Sequence, residues 1–289
     1  MTLFLLTLLN GLTLAGLYFL VASGFSLVFG LMRNINLAHG SLYLLGGYIG
    51  YSTYAVTGSW ELGVVIGTLS MAAAGVVLQY CIFRFMEGEA LRQTLVTIAI
   101  SIIVADLMLW YWGATAYQFT TPDWIRGATP IPGSPLNYPT YRLAILLAAV
   151  VVGIVLWLFL NKTRIGIMIR AGVDDKNMLA ASGVNVQLLF CVTFAIGAGL
   201  AGLAGVLGGS YLSLAPGEDM RFLLASLIVV IVGGMGSVVG AAIGAVLIGL
   251  TEQFGLAYAP AYAPVYTFLI LVFVLAFRPQ GIMGRAVQS

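Results

Sequence analysis

Residues 162–186 read K-T-R-I-G-I-M-I-R-A-G-V-D-D-K-N-M-L-A-A-S-G-V-N-V, and long apolar runs lie on both sides of them. The whole chain has 12 basic and 10 acidic residues, and six of them fall here: Lys162, Arg164, Arg170, Asp174, Asp175 and Lys176. A polar, helix-patterned island between apolar spans has the character of a docking surface for a soluble partner.

The apolar surroundings set the fold class. The chain is 61% hydrophobic and 8% charged, where soluble domains carry roughly 25% charged residues. Several runs of about 20 residues lack any charge, the length a helix needs to cross ~30 Å of hydrocarbon. The short alternating segments of a β-barrel are absent. The chain therefore reads as an all-α membrane protein, with residues 1–289 forming one transmembrane domain. The polar exceptions are the island and the loop 114–141. A net charge of +2 says little about partners, and no basic patch points to nucleic acid. Cys81 and Cys191 both lie in apolar runs and read as buried neutral thiols, not as a disulfide or metal site. No basic residue precedes Arg33, so the start lacks the charged region of a cleavable signal peptide and reads as a retained span.

Apolar blocks fall at about 3–32, 35–56, 62–83, 93–113, 142–160, 187–209, 222–250 and 264–277. With the island in the cytoplasm, Arg33, Arg84, Arg92, Lys162, Arg164, Arg170 and Lys176 also fall inside, and Arg126, Arg142 and Arg221 outside. An inside tail adds Arg278 and Arg285. Alternation then requires block 222–250 to turn in its middle, where Gly233, Gly234 and Gly236 favour a break. A segment 222–233 would cover only ~18 Å. The expectation is about eight transmembrane helices plus one broken or half-span element, with the N-terminus outside and the C-terminus cytoplasmic. The first block is long for one straight helix, and Asn10-Gly11 is where it would break.

Trp110, Tyr111 and Trp112 close the fourth block as interfacial aromatics do. The prolines at 122, 130, 132, 135 and 139 make 114–141 an extended outer connection. Gly236, Gly240 and Gly244 form a G-x-x-x-G-x-x-x-G row, and six more glycines crowd 197–209. Such rows permit close helix packing; flexible hinges are the other reading.

Three constellations stand out. Asn34, Asn36, His39, Gly40 and Ser41 cluster between the first two spans, and Gly233, Gly234, Gly236 and Ser237 form the second break. Polar breaks at membrane depth need cover from protein or a water-filled cavity, and paired breaks often mark a permeation path. A tight turn with Asn caps and a satisfied histidine is the alternative. Asp106 and Glu252 lie inside apolar blocks; they are too few for proton coupling and read as hydrogen-bonded or interfacial acids. In the island, Asp174 would cap a short helix 175–182 that ends at Gly183. A preceding helix, about 165–171, would carry Arg170. The pair would form an elbow parallel to the membrane, its charges facing the cytosol and Ile167, Met178 and Leu179 supplying apolar contacts.

The segments G-L-T-L-A-G-L-Y-F-L-V-A-S-G-F-S-L-V-F-G (11–30), N-I-N-L-A-H-G (34–40), G-I-M-I-R-A-G-V-D-D-K-N-M-L-A-A-S-G-V (166–184), G-G-M-G-S-V-V-G-A-A-I-G (233–244) and R-P-Q-G-I-M-G-R (278–285) resemble the H-type permease of the branched-chain amino-acid ABC importers. The resemblance runs in order along nearly the whole chain. It implies that 166–184 is the coupling segment that docks on the ATPase. Gly166, Arg170, Ala171, Asp174, Ala180, Ala181 and Gly183 take its characteristic positions; Gly172 and the run Asp174-Asp175-Lys176 are less typical and would tune docking.

The resemblance implies a permease subunit in the bacterial inner membrane. Its partners would be a second permease subunit (an M-type relative, or a second copy), two ATPase subunits and an outer solute-binding protein. The chain lacks the G-x-x-x-x-G-K-[ST] phosphate loop and binds no cofactor of its own; ATP and magnesium would sit on the ATPases. It is not an enzyme. Substrates of such permeases include branched-chain and other amino acids, urea, amides and aromatic acids. A self-contained channel or secondary carrier is the alternative, against which the scarcity of intramembrane acids counts.

Overall fold

In the computed structural model, residues 2–131 and 137–284 are described; Pro132, Pro135 and Arg285 lie outside them. Eleven α-helices follow one another among the described residues: α1 (Thr2–Met32), α2 (His39–Thr57), α3 (Trp60–Cys81), α4 (Ala90–Trp112), α5 (Thr140–Lys162), α6 (Arg164–Asp174), α7 (Lys176–Ala181), α8 (Val186–Tyr211), α9 (Glu218–Gly233), α10 (Val238–Tyr258) and α11 (Ala263–Phe277). The loop between α4 and α5 holds an antiparallel pair, β1 (Ala128–Pro130) and β2 (Asn137–Pro139). Seven helical segments are long and apolar enough to cross a membrane: α1, α3, α4, α5, α8, α10 and Pro260–Phe277. The 19-residue α2 has the length with a more polar, Gly- and Tyr-rich sequence. The 16-residue α9 spans only ~24 Å and is the short element.

Helix α1 is the axis of the bundle. It is buried along most of its length, and α5, α8, α9 and α10 pack around it. It is hydrophobic all round, as a helix enclosed on every side must be. Asn10-Gly11 does not break it. The Asn10 side chain accepts hydrogen bonds from Tyr138 of β2 and Arg142 of α5, so it caps no turn. Gly11 lies directly against Leu250 of α10. The helix ends at Arg33, whose φ of 52° is left-handed and whose N–H donates to Phe29 O at 2.7 Å.

Block 222–250 does turn in its middle: α9 ends at Gly233 and α10 starts at Val238, with Ser237 Oγ accepting from Gly240 N–H at 3.0 Å. Gly236 lies in that turn with φ +80°, so the helical glycine row begins at Gly240. Gly240 and Gly244 meet the α9 backbone at Gly233 and Val229, the close approach that small residues allow. Cys191 is buried, whereas Cys81 is exposed, because it closes α3 at the surface of the bundle.

Two helices begin part-way through the bundle. His39 Nε2 lies 3.0 Å from Val21 O, and Val21 is 11 residues, or ~16 Å, from the end of α1 at Met32. Residues 34–38 therefore climb back from that end before α2 starts. Gly40 then packs against the Asp219 carbonyl, placing the start of α9 at the same level. Segment 212–217 descends from the opposite side to reach it, held by a bridge between Leu214 and Tyr117. The amino ends of α2 and α9 thus meet inside the bundle. From there α9 runs toward the elbow side, where Ile282 and Met283 N–H groups satisfy its last carbonyls, Val232 and Gly233, at 2.9 Å. Residues 278–284 and the α6–α7 elbow lie at one end, and the described residues of the 114–141 loop at the other.

Candidate functional site

The polar island folds as two short helices. Thr163 caps α6, its Oγ1 accepting from Gly166 N–H at 3.0 Å and donating to Phe159 O at 2.7 Å. Gly166 lies so close to the Phe159 carbonyl that a Cβ would collide with it, which fixes the angle between α5 and α6. One side of α6 is anchored: Ile169 is buried with Leu27, Leu31, Leu156, Leu160 and Leu179. The other side presents Ile167, Arg170, Ala171 and Asp174, all exposed and all on one helical face by their spacing of three or four.

Helix α7 is capped by Asp175, not Asp174. Its Oδ1 accepts from Asn177 and Met178 N–H at 2.9 and 3.0 Å. The shift by one residue follows from α6 running on through Asp174, which leaves Asp175 as the first extended position, at φ −151° and ψ 104°. Gly183, with φ +81°, ends the turn, the left-handed geometry expected after a helix end. Leu179 is the buried anchor of α7, while Met178, Ala180 and Ala181 are exposed. Of the expected apolar contacts, Leu179 therefore faces inward, and Ile167 (49% exposed) and Met178 (71% exposed) face out.

Electrostatics tie the elbow to its neighbours. Arg170 donates to Asn161 Oδ1 at 2.7 Å. Burial pushes the Glu87 carboxyl up from its ordinary range, and the Lys176 ammonium pulls it partly back. Arg33 donates to Val173 O at 3.3 Å, and Val173 also lies beside Gly30 and Gly236. The last turn of α6 therefore touches the end of α1 and the turn between α9 and α10.

The two polar breaks occupy different levels. In the first, Asn34 Oδ1 accepts from Thr94 Oγ1 at 3.1 Å, Asn36 Oδ1 from Ala38 N–H at 3.1 Å, and Ser41 Oγ lies 3.0 Å from Ser101 Oγ. Asn34, Asn36, His39 and Ser41 are all buried. The amide nitrogens of Asn34 and Asn36 have no partner among the described residues. Gly40 abuts the start of α9, whereas Gly233, Gly234, Gly236 and Ser237 lie at its far end.

One set of residues was not legible as a group. Arg221, expected in an outer loop, is in the first turn of α9 and joins Glu218 at 3.4 Å and Glu252 at 3.3 Å. Tyr18 donates to Glu252 Oε2 at 2.5 Å. Only the nearness of Glu218 and Arg221 in sequence hinted at this; Tyr18 and Glu252 come from distant helices. Asp106 is exposed on α4, six residues from its end. Among the described residues no cluster of His, Cys, Asp and Glu could hold a metal.

Residues 7–276 match the family model described as branched-chain amino acid transport system / permease component. The chain is 30% identical to the high-affinity branched-chain amino acid transport system permease protein BraD of Pseudomonas aeruginosa, over 98% of this chain and 96% of that one. It is equally similar to LivH of Salmonella typhimurium, at 30% identity and the same coverage. The ribose import permease RbsC of Escherichia coli is 25% identical over 81% of this chain and 73% of its own. No solved structure matches. Multiple apolar helices and full-length similarity agree: the chain belongs to the branched-chain amino acid transport permease family, as a multi-pass membrane-spanning component of an ABC importer.

Proposed function

We propose that this chain carries branched-chain or chemically related amino acids across the bacterial inner membrane, powered by ATPase subunits docked on the α6–α7 elbow. The observation that carries the reading is the elbow: Ile167, Arg170, Ala171, Asp174, Met178, Ala180 and Ala181 are exposed on a unit whose other side is locked into the core. An apolar and charged mixture on a rigid mount suits a protein partner better than water or lipid. Gly166 and Gly183 shape the mount, and Asp175 caps it.

Family membership supports the rest of the proposed assembly: a second permease subunit (an M-type relative, or another copy of this chain), two ATPases and an outer solute-binding protein. ATP and magnesium belong to the ATPases. The elbow end, with the tail, is then cytoplasmic, and the N-terminus and loop 114–141 are outside. The breaks at 34–41 and 233–237 are the candidate path, and Val173 touches the flank of the first, at Gly30 and Arg33, and Gly236 within the second. Different affinity of the ATPases for two permease states would shift the population between outward- and inward-facing forms.

Reconstitution in proteoliposomes tests the reading. Leucine uptake should require ATP, the ATPases and the binding protein; uptake by the permease alone would instead establish a self-contained carrier.

A further inference from the structure

Three charged side chains and a tyrosine meet at the level of the first turn of α9. Arg221 sits between Glu218 and Glu252, with both contacts long at 3.4 and 3.3 Å, and Tyr18 holds the far oxygen of Glu252. Glu252 is 14 residues along α10 from Val238 and Tyr18 is 14 residues from the end of α1 at Met32. Both counts put the group ~21 Å from the elbow side, within a ~30 Å hydrocarbon layer. Yet the Arg221 side chain is 44% exposed, Glu218 23% and Glu252 20%. Charges at that depth are not left to lipid; they face protein or a water-filled cavity.

The polar character continues outward. Tyr211 lies within electrostatic reach of Arg221 and Glu252 on one side and Arg142 on the other. Arg142 lies over the Tyr211 ring at 5.1 Å and bonds to Asn10, which also receives Tyr138. A polar column thus descends from the outer loop to Arg221, and the first turn of α9 adds backbone N–H groups with no side-chain cap.

We propose that Arg221 and Glu252 form a transit site for a zwitterionic α-amino acid in the outer half of the path. Arg221 exchanges its two long contacts for the solute carboxylate, helped by the α9 amino end. The freed Glu252 carboxylate, still oriented by Tyr18, takes the solute ammonium. A pair that already satisfies itself binds the solute by exchange, so the site recognises both charges while holding the solute weakly enough to release it.

This rests on the amino-acid reading above, and the experiment separates the two. The complete transporter, with its ATPases and binding protein, is reconstituted in proteoliposomes and supplied with ATP and labelled leucine. Arg221→Gln should lower uptake at least about tenfold, the usual scale for losing a hydrogen bond to a charged group, while ATP hydrolysis stimulated by the loaded binding protein persists. The triple variant Glu218→Gln, Arg221→Met and Glu252→Met removes all three charges and roughly keeps volume, a change that leaves a purely structural ion cluster's role intact or improved. Continued loss of uptake in an assembled complex supports the site. Uptake restored to the wild-type rate in the triple variant overturns it and leaves the amino-acid reading standing. A wild-type complex that carries urea or an amide and no leucine overturns both.

Discussion

Gly40 of α2 rests on the backbone carbonyl of Asp219 in α9, so closely that a Cβ at position 40 would overlap that oxygen. The contact holds the amino ends of the two part-way helices together. Around it Tyr43 stacks on Phe222 with ring centroids 4.0 Å apart. Gly40→Ala must move one backbone against the other. Overpacking of this kind costs about 1–3 kcal/mol, so the variant should unfold at lower temperature in detergent than the wild type. Gly199→Ala is the control: its Cβ would meet Ala72 at an ordinary 3.4 Å, and thermal stability should hold or rise through the reduced entropy of the unfolded chain.

Arg170→Glu reverses a charge on the exposed face of α6 without touching the buried anchor Ile169. Membrane insertion and detergent stability should stay unchanged. Co-purification of the ATPases should weaken and uptake fall at least about tenfold, since like charges brought together at an interface cost several kcal/mol. Normal uptake would rule the α6 face out as the docking surface.

Asp175 separates two roles that its neighbour Asp174 obscures. Asp175→Ala removes the α7 cap, at a cost of about 1 kcal/mol, on a helix of only six residues. Uptake should fall severalfold. Asp175→Asn and Asp175→Ser keep an oxygen acceptor for Asn177 and Met178 N–H and should restore uptake, although neither carries the charge. Failure of both to rescue would make the carboxylate charge itself the important feature.

Most of the helices were legible because an apolar run of about 20 residues has few alternatives in a chain this poor in charge. The turn inside 222–250 was legible from orientation parity and the glycines around 233–236. The level at which α2 and α9 begin was not. Asn34–Ser41 has the composition of an interfacial turn, and only the contact of His39 with Val21 and of Gly40 with Asp219 places it inside the bundle. For the same reason Arg221 read as an outer-loop cation: nothing local reveals that its partner Glu252 is 31 residues away on the next helix. Asp174 and Asp175 are chemically equivalent caps, and the choice between them depended on where α6 stops.

Glu87 gives a pH signature at the elbow end. Burial raises its carboxyl above the ordinary value, with Lys176 opposing the shift. A carboxyl raised in the folded state favours folding while it is protonated, and that contribution is lost as pH rises through the folded value. Glu87→Gln should therefore stabilise the protein modestly at pH 7, and the gain should fade toward pH ~4, near the unfolded carboxyl value. Lys176→Gln should enlarge the benefit of Glu87→Gln at neutral pH, because the carboxylate would then be charged without its nearby cation. Equal melting temperatures for wild type and Glu87→Gln from pH 4 to pH 8 would refute the assignment.

Gly166 tests whether the elbow must be held at one angle to work. A Cβ there meets the Phe159 carbonyl, a backbone atom that cannot swing aside. Gly166→Ala must therefore tilt α6 away from α5 or pull Thr163 from its capping bond. Ile169 and Leu179 would still hold the elbow to the core, so the complex should assemble and the ATPases should still hydrolyse ATP. The displacement falls on Val173, the residue that meets Gly30, Arg33 and Gly236. The expected outcome is hydrolysis near the wild-type rate with leucine uptake reduced at least severalfold. Val173→Ala should reproduce the uncoupling with Gly166 intact, because it removes the side chain that reaches Gly30 and Gly236 while leaving the angle unchanged. If Gly166→Ala uncouples and Val173→Ala does not, the angle itself transmits the signal and the Val173 contact is packing.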